Sequence, residues 1–432
     1  MQYISGRHLR TLPFKGKPSF EKLIVSPAFL YFVFTMIMGL ILILFDRNPA
    51  WPDGGQHWAR ALQISNGDLL AQPNPDGSGA YGGYAGDGKF INFNNTAINS
   101  PLVYLPSLFS FGNVHLAAVT TLLLSTFTTA VAIHISRKFQ YLFLGIAILP
   151  IYFLSICYPT ADAVTNLFSL LFIAYVTYLL QQDRMPGAGN TLLLLIASLM
   201  LGLIKITCSA LILLVWLLPF KFKYQAGKPV WLVCLGSTLS TIFSAGIWSK
   251  LTASIPASAI VDLAKFEDGR ARILDHPFLM LRSLFATLFQ SLDTTGDAHD
   301  VARNIELFTG FGPILPVAVV LPLLMASMIM ILKGRHSELV SEPAGKYIIA
   351  GISILFFALT GAGIASSWGS PNLGGFINGM QTRYFIPITP LLALLIPSVR
   401  IRFQKTKSGT IFLCSLIAWG YAGLLLAHCF PF

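Results

Sequence analysis

Asp46, Asp53, His57 and Arg60, four side chains able to move a proton or hold a phosphate, lie close together in the chain. They follow an apolar run over 27–45 that is long enough to cross a bilayer, so they are expected at a membrane surface. An enzyme acting on a lipid-linked substrate would keep its acids and bases there. Asp53 is the first candidate for a general base, with Asp46 as its substitute; His57, four residues after Asp53, would orient the carboxylate or act in its place. Plainer readings stand beside these: Asp53 as the N-terminal cap of a helix, His57 as a surface or packing histidine.

A departing phosphate needs cations. Arg383 follows a segment rich in Gly and Asn and precedes an apolar one, where a guanidinium would grip phosphate with two bonds or snorkel to the interface. Lys205 separates two short apolar segments and Asp162 opens another, as a functional or a purely structural pair. Tyr158-Pro159-Thr160-Ala161-Asp162 reads either as a turn in which Asp162 caps the helix carrying Asn166, or as part of a site. Arg270 and Arg282 are further phosphate candidates.

The elements holding these residues are membrane helices. The chain has 432 residues, 54% hydrophobic and 11% charged, against about 25% charged in soluble domains. One membrane domain over 1–432 is expected, all-α and polytopic, with eleven spans at 27–45, 115–135, 140–157, 162–181, 190–204, 206–219, 229–248, 312–332, 346–365, 384–398 and 410–428. The stretch 190–219 reads as two helices, because one long helix would put Lys221, Lys223, Lys228 and the basic run 400–407 on the same side as the acidic loops. With the N-terminus inside and the C-terminus outside, the basic leader 1–26 and the short basic loops lie in the cytoplasm.

That topology leaves three outer loops. The first, 46–113, holds a short surface helix with Asp53 just before its first turn, and a Gly- and Asn-rich stretch with Tyr81, Tyr84, Phe90 and Phe93, which stack on a sugar or cover the loop. The second, 250–310, includes an interfacial segment over 278–289, and the third is 366–383. Five cysteines without a Cys-x-x-Cys spacing read as packing residues, and no residue set reads as a metal site. The net charge of +11 is spread over loops, so nucleic acid is not an expected partner. Phosphate-binding Gly-rich loops, nucleophile elbows and His-Glu-x-x-His are absent.

Three patches together resemble the bacterial membrane family called domain of unknown function 2142, which is similar to membrane glycosyltransferases of the GT-C fold. They are Pro52-Asp53-Gly54-Gly55-Gln56-His57 with Arg60-Ala61-Leu62-Gln63-Ile64 and Gly67; Tyr158-Pro159-Thr160-Ala161-Asp162-Ala163-Val164-Thr165-Asn166; and Gln381-Thr382-Arg383-Tyr384-Phe385-Ile386-Pro387. Weaker matches are His276-Pro277 and the segment from Gly310 to Pro316. The chain departs from the family pattern at Gly54, where a Glu is usual, and at Thr382, where a Gly is usual.

The resemblance implies a GT-C-like bundle in a bacterial cytoplasmic membrane, with its site in the first outer loop. The expected activity is sugar transfer from a polyprenyl-phosphate carrier to a cell-envelope glycan or glycolipid on the outer face. Arg60, Asp162, Asn166, Lys205, Arg270, Arg282, Gln381, Arg383 and Tyr384 are the expected substrate contacts. A divalent cation is left open. The alternatives are a transporter or flippase of a lipid-linked sugar, and a lipid-binding scaffold without catalysis, which the missing Glu at position 54 keeps in play.

Overall fold

The computed structural model describes residues 26–46, 53–84, 88–222, 230–256, 263–289, 317–333, 343–367, 373–377, 379–396 and 407–429. The basic leader, the Gly310–Pro316 patch and the basic run 400–406 lie outside the described residues.

Helices form where apolar runs begin with a residue that can satisfy the first amides. In α1 (Pro27–Phe45) the proline sits in the first turn and Ser26 Oγ accepts from Phe29 N. Next comes α2 (Gly54–Ser65), the expected short helix, with Asp53 just before its first turn. At α3 (Val114–Ile135) Asn113 Oδ1 accepts from the His115 and Leu116 amides at 2.9 and 3.0 Å.

The span expected over 140–157 is broken. Helices α4 (Gln140–Ala147) and α5 (Pro150–Cys157) belong to two pieces bent by 78°. Pro150 cannot continue the backbone ladder, and hydroxyls from elsewhere in the fold take up the carbonyls at the break. Ser327 Oγ donates to Gly145 O at 2.7 Å and Tyr421 Oη to Ile148 O at 3.2 Å.

Beyond it, α6 (Ala161–Leu180) is the most buried span, and α7 (Ala188–Ile204) leads to Lys205. At Lys205 the backbone is extended (φ −162°, ψ 133°) and the chain enters a 3-10 helix, Ile206–Leu217, which runs into α8 (Leu218–Lys221). The chain reverses here, as α9 (Val230–Leu251) reports. Thr241 of α9 bonds Ser198 O, while Trp216 Nε1 reaches Thr238 and Cys234 Sγ reaches Val215 O. Along α7, Ser198 and then Gly202 meet Thr241 and then Ser244 and Ala245 of α9, whereas after Lys205 the chain has come back to Cys234 by Val215. Gly202 makes the α7–α9 approach close: a Cβ there would run into the Thr241 carbonyl and the Ser244 hydroxyl.

The remaining elements are α10 (Leu263–Asp275), α11 (Pro277–Leu288), α12 (Val317–Lys333), α13 (Pro343–Ser367), a 3-10 helix Thr382–Ile388, α14 (Thr389–Leu395) and α15 (Lys407–Cys429). Among the described residues, six helices are long and apolar enough to cross a membrane, or seven if the bent pair is one span. The fold is thus polytopic and overwhelmingly helical, with short or broken apolar helices beside the long ones among the described residues. Several expected spans are short apolar helices, two of them wound as 3-10 turns. A 3-10 turn rises about 2.0 Å per residue against about 1.5 Å in an α-helix, so Ile206–Lys221 covers roughly 30 Å, about the depth of a hydrocarbon core.

One end of the bundle gathers the C-terminal ends of α1, α7 and α9, the starts of α3 and α6, and the loop between α1 and α3. Ser100 Oγ donates to Leu203 O and Trp248 Nε1 to Ile98 O, tying that loop to α7 and α9. The loop also carries what an all-α reading omits, a small antiparallel sheet of β1 (Gln72–Pro73), β2 (Tyr81–Tyr84) and β3 (Phe90–Asn92) in the order 1-2-3. Phe93 is fully buried beneath it and Tyr84 packs edge-on against Phe90, which makes these aromatics cover for the loop. The hydroxyls of Ser283 and Thr287 on α11 accept hydrogen bonds from the Gly374 amide at 2.7 Å and the Ile377 amide at 2.9 Å. That clasp holds the segment leading into Arg383.

Candidate functional site

Asp53 occupies the position before the first turn of α2, as a cap would, yet its side chain makes no cap bond. Its backbone is left-handed (φ 62°), a conformation that aspartate tolerates better than most residues. The carboxylate turns instead to Arg383, with Oδ2 3.3 Å from Nη2. Asp162 behaves alike. Thr160 is the cap of α6, through Oγ1 and Ala163 N, and Asp162 Oδ2 lies 3.4 Å from Arg383 Nε. The two local capping readings are therefore replaced by one long-range cluster: a guanidinium whose side chain is 3% exposed, between carboxylates that are 32% and 14% exposed.

Further cations and rings complete the cluster. Lys205 Nζ lies 4.3 Å from the centre of the Tyr384 ring, and the Arg383 guanidinium is 5.4 Å from the same ring. Lys205 reaches it because the chain reverses at that residue. The Gln381 side-chain oxygen is buried without a hydrogen-bond partner beside this segment.

His57 is 6% exposed, and its Nδ1 meets the Tyr104 hydroxyl at 2.8 Å and, at 3.5 Å, the Ala161 amide. Asn99 Nδ2 donates to the same Tyr104 oxygen. With the Ala161 amide also aimed at it, Nδ1 is an acceptor, which places the imidazole proton on Nε2. Burial lowers the His57 pKa from 6.5 to about 4; Asp162 and Asp53 push it up while Arg383 and Lys205 push it down. His57 is thus a neutral, tightly held imidazole with its basic nitrogen already occupied.

A pH dependence follows. Because the folded pKa lies below the unfolded value, the unfolded chain binds the extra proton first, and stability is lost as pH falls from 6.5 towards 4. One group shifted this far accounts for at most about 3 kcal/mol. Thermal unfolding in detergent between pH 7 and pH 4 should show this loss, and His57→Gln should flatten it. An unchanged slope in the variant would mean that His57 does not carry the effect.

Other expected contacts lie elsewhere. Arg60 is fully buried and points into the first loop. It donates to Gln63 Oε1, to Leu69 O at 2.6 Å and to Asn99 O at 3.4 Å, and sits 5.8 Å from the Phe93 ring centre. It holds the loop closed where substrate contact was expected. Asn166 is buried against Ser155, a packing role within α5 and α6. Arg270 and Arg282 are exposed on α10 and α11. Asp46 accepts from the Tyr158 hydroxyl and borders a separate pocket of about 190 Å³. Tyr104 had no distinguishing signal in the sequence, since it meets His57 across 47 positions; Tyr158 lay in the second patch, but its bond to Asp46 spans 112 positions and was not legible. Among the described residues, no three His, Cys, Asp or Glu side chains gather as a metal centre.

A polytopic helical bundle with a buried, charge-balanced cluster at one end is the class of protein that fold and site define. The chain belongs to the family described as "Predicted membrane protein (DUF2142)", whose model matches residues 84–392, more than two-thirds of its length. Asp162, Lys205 and Arg383 fall within that match, whereas Asp53 and His57 precede it. No curated protein and no solved structure matches the chain.

Proposed function

We propose that the protein is a glycosyltransferase of the bacterial cytoplasmic membrane, with a GT-C-like bundle, moving a sugar from a polyprenyl-phosphate carrier to a cell-envelope glycan or glycolipid on the outer face. The observation that carries this reading is the Asp53–Arg383–Asp162 cluster: a carboxylate one-third open to solvent, beside a buried guanidinium and near an ammonium, at the mouth of a membrane bundle. Asp53 takes the proton of the acceptor hydroxyl as that oxygen bonds to the sugar carbon. The bond from that carbon to the carrier phosphate breaks, and its electron pair leaves with the phosphate. Arg383 and Lys205 stabilise the charge that appears there, and His57 fixes the geometry.

The site faces outward in this reading because Lys138, Arg184, Lys221 and Lys333 mark the opposite end of the bundle. Cysteine at Ser78 should label with an impermeant reagent on intact cells, while cysteine at Arg184 should not. The reverse pattern turns the protein over. The activity itself is tested with purified protein in vesicles, offered polyprenyl-phosphate sugars and a glycolipid acceptor. Release of polyprenyl phosphate coupled to a glycosylated acceptor is the expected result. If every plausible donor stays intact, the flippase and scaffold readings take its place.

A further inference from the structure

Arg383 has two carboxylates beside it, and they are held differently. Asp162 lies in the first turn of α6 and faces Nε at 3.4 Å, the less exposed of the two acids. Asp53 faces Nη2 at 3.3 Å from a position one-third open to solvent. The arginine side chain itself is 3% exposed, so with both acids in place it has almost no surface left for a phosphate. Asp53 is the partner that can leave. Its backbone is fixed, because its carbonyl accepts from His57 N at 2.9 Å and His57 is in turn bonded to Tyr104. Its carboxylate is not, since it makes no cap bond and meets Arg383 through a single oxygen. Rotation about the side-chain bonds moves it off Nη2 without disturbing α2. A half-open ion pair of this kind is weak in water, whereas a phosphate presents a guanidinium with several oxygens in a fork-shaped contact.

We infer that the Asp53–Arg383 contact is an autoinhibitory latch: the phosphate of the lipid carrier displaces the Asp53 carboxylate from Nη2 and thereby releases the base. The inference rests on the transferase reading and gives that reaction an order, carrier first and acceptor second. With the latch closed, Asp53 Oδ2 is directed at Nη2, and the side-chain charges of Arg383, Lys205, Asp53 and Asp162 balance beside a neutral His57. A phosphate on Nη2 upsets that balance. Its negative charge repels the Asp53 carboxylate, which turns towards solvent, where the acceptor hydroxyl arrives. Asp162 stays beside Nε and keeps the guanidinium in place.

The test measures binding to the full chain in nanodiscs. Its probe is a short-chain prenyl phosphate, the leaving group of the proposed reaction, with the matching prenol as the uncharged control. Asp53→Asn should bind the prenyl phosphate about tenfold tighter than wild type and the prenol equally, because asparagine neither competes for the guanidinium nor repels phosphate. An aspartate with only a structural role would leave that affinity unchanged or weaken it by loosening Arg383. Asp53→Ala is the second variant and should show the same gain. Simple repulsion across the site is separated on the Arg383→Ala, Asp162→Asn background, where the gain from Asp53→Asn should shrink to about twofold or less. Unchanged or weaker binding in both Asp53 variants, or an equal gain with and without Arg383, overturns the latch. If no form of the protein binds prenyl phosphate, the phosphate site and the latch fall together. Sugar transfer measured in parallel separates the readings: wild-type transfer with no gain in binding sinks the latch alone, and an Arg383-dependent gain with no transfer from any donor sinks the transferase and leaves the latch.

Discussion

Asp53→Asn is expected to fold as the wild type does and to lose sugar transfer by about 10²–10⁴-fold, the usual contribution of a positioned general base. The fold should survive for two structural reasons. The side chain does not cap α2, so no cap is lost, and asparagine tolerates the left-handed backbone at this residue. The bond to Arg383 weakens, but Asp53 is one-third exposed, so that pair contributes little to stability in water. Thermal unfolding and transfer from a lipid-linked donor should be measured on the same preparations, with Asp46→Asn in parallel. A stable, fully active Asp53→Asn protein removes the proposed base, and loss confined to the Asp46 variant moves the role there.

Arg383→Ala has the larger expected effect on the molecule itself. It leaves Asp162 buried without the guanidinium beside it, and breaking such a buried pair costs about 3–5 kcal/mol. Affinity for a polyprenyl-phosphate sugar should also drop about ten- to a hundredfold through the lost charged hydrogen bond. Arg383→Ala combined with Asp162→Asn separates the two effects. Removing both charges should recover most of the stability while phosphate affinity stays low. If the single variant unfolds at the wild-type temperature and binds donor normally, Arg383 is only an interface anchor. Arg383→Lys should keep the charge yet recover binding only in part, since an ammonium cannot present the guanidinium's two-pronged fork.

Much of this was legible along the chain. Hydropathy alone specifies an integral membrane protein, because a long apolar run has few other solvents, and a helix closes its own hydrogen bonds there. The spacing of α2, the turn at Lys205 inferred from where basic residues must lie, and Asp53, Arg383 and Asp162 as residues of interest were all read from local pattern. Tertiary structure decided what those residues do. Capping is a contest between a nearby amide and any distant cation, and only the folded chain brings Arg383 to Asp53 across 330 positions. The same contest turns Arg60 inward, towards carbonyls that only a closed loop presents. The eleven expected spans become fewer long helices and several short ones for a related reason. Residue number reports length only at a fixed rise, and the bend before Pro150 and the 3-10 turns after Lys205 are stabilised by partners such as Ser327, Tyr421 and Cys234, whose proximity no periodicity encodes.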